Sequence, residues 1–312
     1  MKDGKLAVVD LATLIYVAVS TVAVLVFTGG DRVGSIALLS AHILAVCLVL
    51  LAPQARADGP TGRFAGDWYP LLLLGAFYAE VGVLNVDVGY HHDLAIQRLE
   101  QWVFGSQLSY RWIREMPNPG LSWLLHCCYL AYYVILYASP LGLWISGRRD
   151  AARFTIFAVV ATFYLCFMVF LFFPVTGPRY ALALADNAAT RVWPARAAQW
   201  VLDQGDSWGA AFPSSHVAGA VVATLCAVRF WRPLGLILLP FTVGMTFAVV
   251  YGQFHYAVDA VAGLVVAVAV LTSLNASNQV LWRRSSTTHH ILVEVGNSAT
   301  VPVLPVPAVL FR

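Results

Sequence analysis

The residues of this chain able to do chemistry fall in three short segments, each at the end of a hydrophobic run. They are Phe173-Pro174-Val175-Thr176-Gly177-Pro178-Arg179-Tyr180, Phe212-Pro213-Ser214-Ser215-His216-Val217-Ala218-Gly219 and Tyr251-Gly252-Gln253-Phe254-His255-Tyr256-Ala257-Val258-Asp259. In the second, Pro213 suits the first helical position, because it lacks an N–H that the first turn would leave unpaired. A helix should therefore begin at Ser214-Ser215-His216. Its free N–H groups and positive dipole end form an anion site, and the hydroxyls of Ser214 and Ser215 add donors suited to phosphate oxygens. In the third, His255 and Asp259 are four residues apart and on a helix would share one face, one turn apart. Asp259 can then accept from one imidazole nitrogen, fixing the tautomer and leaving the other nitrogen free to attack. A carboxylate one turn into an apolar helix is costly in lipid, so Asp259 should face a polar pocket. The non-catalytic readings are a Ser/Pro helix start with an interfacial His216, and a His255–Asp259 pair that only locks two helices together.

The elements that must position these residues are membrane helices. With 60% hydrophobic and 11% charged residues in a chain of 312, the composition leaves the soluble class. A spanning helix needs about 20 mostly apolar residues. Candidate stretches run from Leu6 to Thr28, Val33 to Leu51, Trp68 to Val86, Gly120 to Ile145, Ala152 to Phe173, Ser214 to Phe230, Leu234 to Tyr251 and Tyr256 to Leu274. The expected fold class is all-α, a polytopic transmembrane bundle of eight spans. The first span starts with Lys2 and Lys5, but its apolar run is too long for a signal peptide and no Ala-x-Ala-like site follows, so it reads as a retained anchor.

A net charge of +3 is too small to argue for nucleic acid, and the placement of the basic residues is the informative quantity. With the N-terminus inside, the inner segments hold Lys2, Lys5, Arg56, Arg63, Arg148, Arg149, Arg153, Arg229, Arg232, Arg283 and Arg284. The outer ones hold Arg32, Arg98, Arg111, Arg114, Arg179, Arg191 and Arg196 over more sequence. The positive-inside rule favours this orientation, with both termini cytoplasmic. If helices five to eight alternate in direction, the end of the fifth and the starts of the sixth and eighth emerge outside. Arg179, His216, His255 and Asp259 can then converge at the extracytoplasmic face.

The inner connections Pro53–Gly66, Gly147–Asp150 and Arg229–Pro233 read as short loops ended by helix breakers. Two outer segments, Asp87–Pro119 and Pro174–Pro213, are longer than a compact bundle requires, and such loops are often functional. The first mixes Leu94, Ile96, Leu99, Trp102, Val103 and Phe104 with Asp93, Gln97, Arg98, Glu100 and Gln101. That mixture suits a short interfacial helix, either flanking a lipid entrance or only capping the bundle. The second holds Trp193, Trp200 and Trp208, ordinary headgroup-level anchors, among Arg179, Arg191, Arg196, Asp186, Asp203 and Asp206. The chain thus divides into N-terminal membrane helices (1–66), a core (67–274) that includes the outer segment 87–119, and a tail (275–312). In the tail, Val301-Pro302-Val303-Leu304-Pro305-Val306-Pro307 blocks a helix, so a poorly ordered cytoplasmic segment is expected. Cys47, Cys127, Cys128, Cys166 and Cys226 sit in apolar spans without metal-ligand or disulfide spacing and read as small core residues.

Pro-Ser-Ser-His at 213–216 and His-Tyr-Ala-Val-Asp at 255–259, found together and in order, resemble the type 2 phosphatidic acid phosphatase superfamily. These are integral-membrane lipid phosphatases and phosphotransferases, and the resemblance covers roughly residues 150 to 275. The preceding half, with its outer amphipathic segment, is similar to the branch containing inositol phosphorylceramide synthases. The resemblance implies a six-helix catalytic core and a two-step transfer through a phosphohistidine, without metal or other cofactor. His255 would attack phosphorus, Asp259 would orient it, and His216 would protonate the leaving oxygen and later activate the acceptor. Arg179, Ser214, Ser215 and helix N–H groups would hold the equatorial oxygens. The family's first motif has a Lys seven residues before its Arg, where this chain has Phe172; its third has Ser-Arg where this chain has Ala248 and Val249. Two phosphate-binding cations are therefore missing, which favours a divergent lipid phosphatase or a phosphotransferase. Arg191 or Arg196 are the candidates to compensate.

The expected function is phosphatase or phosphotransferase chemistry on a lipid phosphate within the bilayer. Its competitors are transfer of a phosphoalcohol to a lipid acceptor and a non-catalytic lipid-binding protein. A vanadate-loaded haloperoxidase is disfavoured because the missing cations are groups that would hold vanadate. Nothing in the sequence speaks to oligomeric state. His91-His92-Asp93 lacks a third ligand at suitable spacing and reads as surface loop. Glu80, near Asn85 and Asp87, is a functional candidate as an intramembrane ionisable group, binding a headgroup or pairing with an Arg. His126 reads as a satisfied core histidine, and His289-His290 as solvated.

Overall fold

The computed structural model describes residues 6–27 and 32–295, with side chains through residue 276 apart from 32, 33, 87 and 88. The prolines of residues 302–307 lie outside the described residues, as do the side chains of Asp87, His289 and His290. Two units form, Met1–Leu271 and Thr272–Arg312. The first is an all-helical bundle, and the second is helical as far as Val295.

In chain order the helices are α1 (Val8–Phe27), α2 (Arg32–Ala57), α3 (Gly59–Val88), α4 (Asp93–Phe104), α5 (Leu108–Glu115), α6 (Pro119–Ile145), α7 (Arg149–Phe172), α8 (Pro178–Ala181), α9 (Trp193–Gly205), α10 (Ser215–Phe230), α11 (Arg232–Tyr251) and α12 (Ala257–Val295). Among the described residues, seven helices are long and apolar enough to cross a membrane, and α10 is a shorter apolar helix of 16 residues. These correspond to the eight expected spans, and the chain is an integral membrane protein. Pro53, Pro70, Pro140 and Pro240 lie inside helices α2, α3, α6 and α11. Neighbouring helices make that tolerable in a membrane, where every backbone group must be satisfied within protein.

The core is α6, α7, α10 and α11, with α3 on α7 and α1 against α2, α3 and α7. Small buried residues of α10, Ala220, Ala223 and Ala227 among them, allow the close backbone approach that helix association in lipid depends on. The loop expected over Pro53–Gly66 is mostly helix, since α2 continues to Ala57 and α3 starts at Gly59. The outer segments are also more structured than read: one carries both α4 and α5, the other α8 and α9. An isolated parallel bridge joins Val175 to Ala210.

Polar groups tie the first three helices to this core. At one end, the two terminal guanidinium nitrogens of Arg56 donate to Asp10 at 2.6 and 2.7 Å, and its Nε donates to Asp67 at 3.0 Å. Arg153 of α7 completes the cluster, donating to Asp67 at 2.7 Å. Deeper, Thr13 bonds to Tyr164 of α7 at 3.0 Å, and His42 of α2 bridges Thr21 of α1 (2.8 Å) and Glu80 of α3 (2.9 Å). Among the described residues Glu80 therefore pairs with a histidine, in place of the arginine that was one of the two expectations for it. A carboxylate 4% exposed within a span needs such a partner to be tolerated.

Candidate active site

The second segment forms its helix one residue later than expected. Ser214 is the N-cap, its Oγ accepting from Val217 N–H at 3.3 Å, and Pro213 precedes the cap across a cis bond from Phe212. The serine hydroxyl suits the cap because it satisfies a first-turn donor. Its backbone N–H donates to the carbonyl of Asp259 at 3.0 Å, which fastens the start of α10 to the start of α12. The two helices approach so closely there that a Cβ on Gly263 would lie 2.5 Å from the carbonyl oxygen of Ser214.

The third segment turns before it becomes helical. Gln253 takes a left-handed φ of 61°, a conformation costing a non-glycine residue about 1 kcal/mol or more. Its side chain is held by Ala185 N–H at 2.8 Å and by the carbonyl of Ala183 at 3.3 Å. The N–H groups of Phe254 and His255 both donate to the carbonyl of Val249. Asp259 accepts from the N–H of Tyr256 at 2.8 Å, closing the first turn of α12 as a capping-box acid does.

His255 is 4% exposed. Its Nδ1 lies 2.9 Å from the carbonyl of Ala211 and 3.5 Å from Asp259 Oδ2. A carbonyl can only accept, so Nδ1 carries the proton and Nε2 keeps its lone pair. The carbonyl thus makes the hydrogen bond that the spacing assigned to Asp259, because α12 begins at Ala257 and His255 lies in the turn before it. Burial lowers the His255 pKa to about 4, against opposing contributions from Asp206 and the Ala211 carbonyl. The imidazole is neutral at neutral pH.

His216 faces His255 with ring centroids 5.5 Å apart and packs against Tyr132 and Tyr129 of α6 at 4.6 and 5.9 Å. Both histidines and Arg179 line one narrow cavity, together with Tyr78, Thr176, Asp206 and Ala211. Arg179 reaches it from α8 and is engaged by Gln199 and Asp203, with its Nε 3.9 Å from Asp206. The structure does not bring every expected group to this wall. Ser214 and Ser215 are buried at 0 and 1% exposure and do not line the cavity. Arg191 is exposed and paired with Asp186 at 3.0 Å, Arg196 is exposed, and neither lines the cavity. Among the described residues, Arg179 is the arginine that lines the cavity.

Two carboxylates that the sequence did not mark out belong to the site and its frame. Asp206 lies in the cavity, accepting from Tyr78 at 3.0 Å and from Tyr180 at 3.1 Å. Asp93, read as surface loop, is 2% exposed and hydrogen-bonded to the Thr176–Gly177 backbone. Helix α4 turns two carboxyl groups inward: Asp93 and Glu100 are buried together with Ile96, while Leu94, Trp102 and Val103 point outward at 60, 82 and 48% exposure. Burial raises the pKa of Glu100, and the N–H groups of Ser109 and Val258 donate to it, each at 3.4 Å. His126 is buried, its Nδ1 2.8 Å from the carbonyl of Ser122.

A membrane-helical bundle with two histidines and an arginine around one cavity defines a class. The family model described as the PAP2 superfamily matches residues 94–273, more than half of the chain, and the chain belongs to that superfamily. Membership supports a phosphatase-type function on lipid phosphates. No curated protein and no solved structure matches it.

Proposed function

We propose that the chain transfers a phosphoryl group from a lipid phosphate through a phosphohistidine at His255. The observation that carries this reading is the bond from His255 Nδ1 to the Ala211 carbonyl, which leaves Nε2 unprotonated in a cavity shared with His216 and Arg179. In the first step Nε2 attacks phosphorus as the bond from phosphorus to the lipid oxygen breaks, and His216, which takes up a proton as the anionic substrate enters, gives it to the departing oxygen. In the second, neutral His216 takes the proton of the acceptor hydroxyl, whose oxygen displaces His255. Arg179 exchanges its contacts with Gln199 and Asp203 for the equatorial oxygens while staying beside Asp206, the stabilisation this chemistry relies on. Asp259, 3.5 Å from Nδ1, supports the positive charge that develops on the imidazole, and its bond to Tyr256 N–H keeps the turn in place. The N-terminus of α10 adds dipole stabilisation of the anion. On this reading the catalytic core is residues 67–274, flanked by residues 1–66 and 275–312. The loop charges favour an extracytoplasmic site with both termini in the cytoplasm.

Asp206 favours a second reading, in which the donor is a phosphodiester and a phosphoalcohol passes to a lipid acceptor. With both histidines neutral at rest, the charged residues on the cavity wall are Arg179 and Asp206, so the resting cavity carries no net positive charge to attract a phosphomonoester dianion. A diester monoanion suits it better.

Purified protein in detergent, given labelled lipid phosphate without added Mg²⁺, should release or transfer the label, and His255→Ala should abolish this. Full turnover in His255→Ala would sink the phosphohistidine, and silent substitutions at both His255 and His216 would favour a non-catalytic lipid-binding protein. With inositol or glycerol supplied, a labelled phosphodiester product marks a transferase, and inorganic phosphate alone marks a phosphatase.

A further inference from the structure

We propose that Asp93, at the start of α4, is a positioning residue for the transfer: it holds the loop carrying Arg179 and the turn carrying His255 in one register. The proposal rests on the phosphohistidine reading above. Asp93 gathers donors from three separate parts of the chain. Its Oδ2 accepts from Thr176 N–H at 2.8 Å, from Thr176 Oγ1 at 2.9 Å and from His91 Nδ1 at 2.9 Å. Its Oδ1 accepts from Gly177 N–H and from the Tyr256 hydroxyl, each at 2.9 Å. Thr176 and Gly177 lead directly to Arg179, and Tyr256 is the next residue after His255.

The carbonyl that fixes the His255 tautomer hangs on the same frame. Val175, adjacent to Thr176, accepts from Ala211 N–H at 2.9 Å and donates to Gly209 at 3.1 Å, so Asp93 restrains the strand-like piece that presents the Ala211 carbonyl. Packing supports the polar contacts. Ile96, one turn along α4, shares a buried cluster with Val175, Ala211, Tyr256 and Val258, and Gln97 donates to the Tyr256 hydroxyl at 2.9 Å. Gly177 takes a φ of +88°, and a Cβ there would lie 3.0 Å from that of Ala211, so the loop has little freedom to find another path.

Asp93 is not among the residues lining the catalytic cavity. It sits behind Thr176, in contact with a more open outer pocket bounded also by His91, Gln97 and Trp208. Both of its oxygens are occupied by donors, so it acts through the residues it holds. Asparagine has nearly the same shape but one acceptor oxygen, and its amide nitrogen would face N–H or O–H donors where a carboxylate accepts.

The test uses the full chain in detergent with dioleoyl phosphatidate and phosphatidylglycerol as probe substrates. Wild type, His255→Ala, Asp93→Asn, Tyr256→Phe and Thr176→Val are compared for kcat and KM separately, and for thermal unfolding by tryptophan fluorescence. Because a misplacement of about 1 Å costs on the order of 100-fold in rate, Asp93→Asn should lower kcat by about 100-fold with KM nearly unchanged. Thr176→Val removes one hydrogen bond to the carboxylate, and Tyr256→Phe removes one to the carboxylate and one from Gln97, so each should lower kcat by roughly 10-fold. A merely structural role would reduce the folded fraction and leave kcat per folded molecule intact, and that result overturns the proposal. Wild-type kcat in Asp93→Asn alongside an inactive His255→Ala overturns the Asp93 role alone. Full turnover in His255→Ala, or no turnover of either lipid by wild type, overturns the phosphohistidine reading and the Asp93 role with it. If Asp93→Asn does not fold, the other two variants decide, and unchanged kcat in both is the refuting outcome.

Discussion

Replacing Asp206 by asparagine should convert the cavity from one that resists doubly charged phosphate to one that accepts it. Asp206 Oδ2 lies 3.9 Å from Arg179 Nε, and an oxygen held by that guanidinium would sit about 2.8 Å from its nitrogen. With that oxygen approaching the guanidinium at about a right angle to Asp206, phosphorus lies roughly 6 Å from the carboxylate, where each unit of phosphate charge is repelled by about 3 kcal/mol at an effective dielectric constant of about 20. A phosphomonoester carries about half to one charge more than a diester near neutral pH. The discrimination due to Asp206 is then about 1.5–3 kcal/mol, or roughly 10- to 100-fold. The Asp206 side chain is 17% exposed, so solvent screening moves the expectation toward the lower figure. Asparagine keeps an oxygen to accept from Tyr78 and removes the charge. The assay is kcat/KM for phosphatidate and for phosphatidylglycerol, in wild type and Asp206→Asn, at one ionic strength. The ratio of monoester to diester turnover should rise by at least tenfold in the variant. A ratio that stays within about threefold, or that moves toward the diester, refutes the charge argument.

Two further outcomes follow from the same geometry. The nucleophile is the neutral form of His255, and burial holds its pKa at about 4. Its contribution to the acid limb of kcat/KM should therefore fall as pH drops through about 4, well below the 6.5 of a free imidazole; a His255 titration observed near 6.5 by NMR of the labelled imidazole would contradict the burial argument. Gly263→Ala should lower the unfolding midpoint and reduce turnover, because the added methyl meets backbone, the Ser214 carbonyl, at 2.5 Å. Overpacking of this kind typically costs about 1–3 kcal/mol, and an unchanged midpoint would show that α10 and α12 can separate at no cost.

The spans were legible because hydropathy over about 20 residues reports the surrounding solvent directly. Even α10, at 16 residues, showed through its Pro-Ser start. The outer segments were less legible. Amphipathy in residues 93–104 marks a helix but not which face meets protein, and α4 turns Asp93 and Glu100 inward while Trp102 stays out. Of the cavity groups, Arg179, His216 and His255 could be read from motif order. Asp206, and Asp93 behind the cavity, could not, since their partners come from Tyr78 and Tyr256, 128 and 163 residues away in sequence. A carboxylate that meets backbone N–H groups leaves no spacing pattern. The His255–Asp259 spacing misled in one respect: the i, i+4 rule assumes both residues are helical, and the helix starts two residues after the histidine.

The polar seam through α1, α2 and α3 bears on how this protein tolerates being shortened. Hydrocarbon offers Leu or Val the same surroundings as a helix neighbour, so in lipid the apolar faces of α1 and α2 say little about where those helices must sit. The Asp10–Arg56–Asp67–Arg153 cluster and the Thr21–His42–Glu80 chain say it instead. A chain begun after α2 would keep Asp67 and Glu80 but lose Arg56 and His42, leaving Glu80 without its partner at bilayer depth. Although the family match starts at residue 94, the two leading helices act as counter-ion carriers for the segment that precedes it, and generic membrane anchors would not replace them.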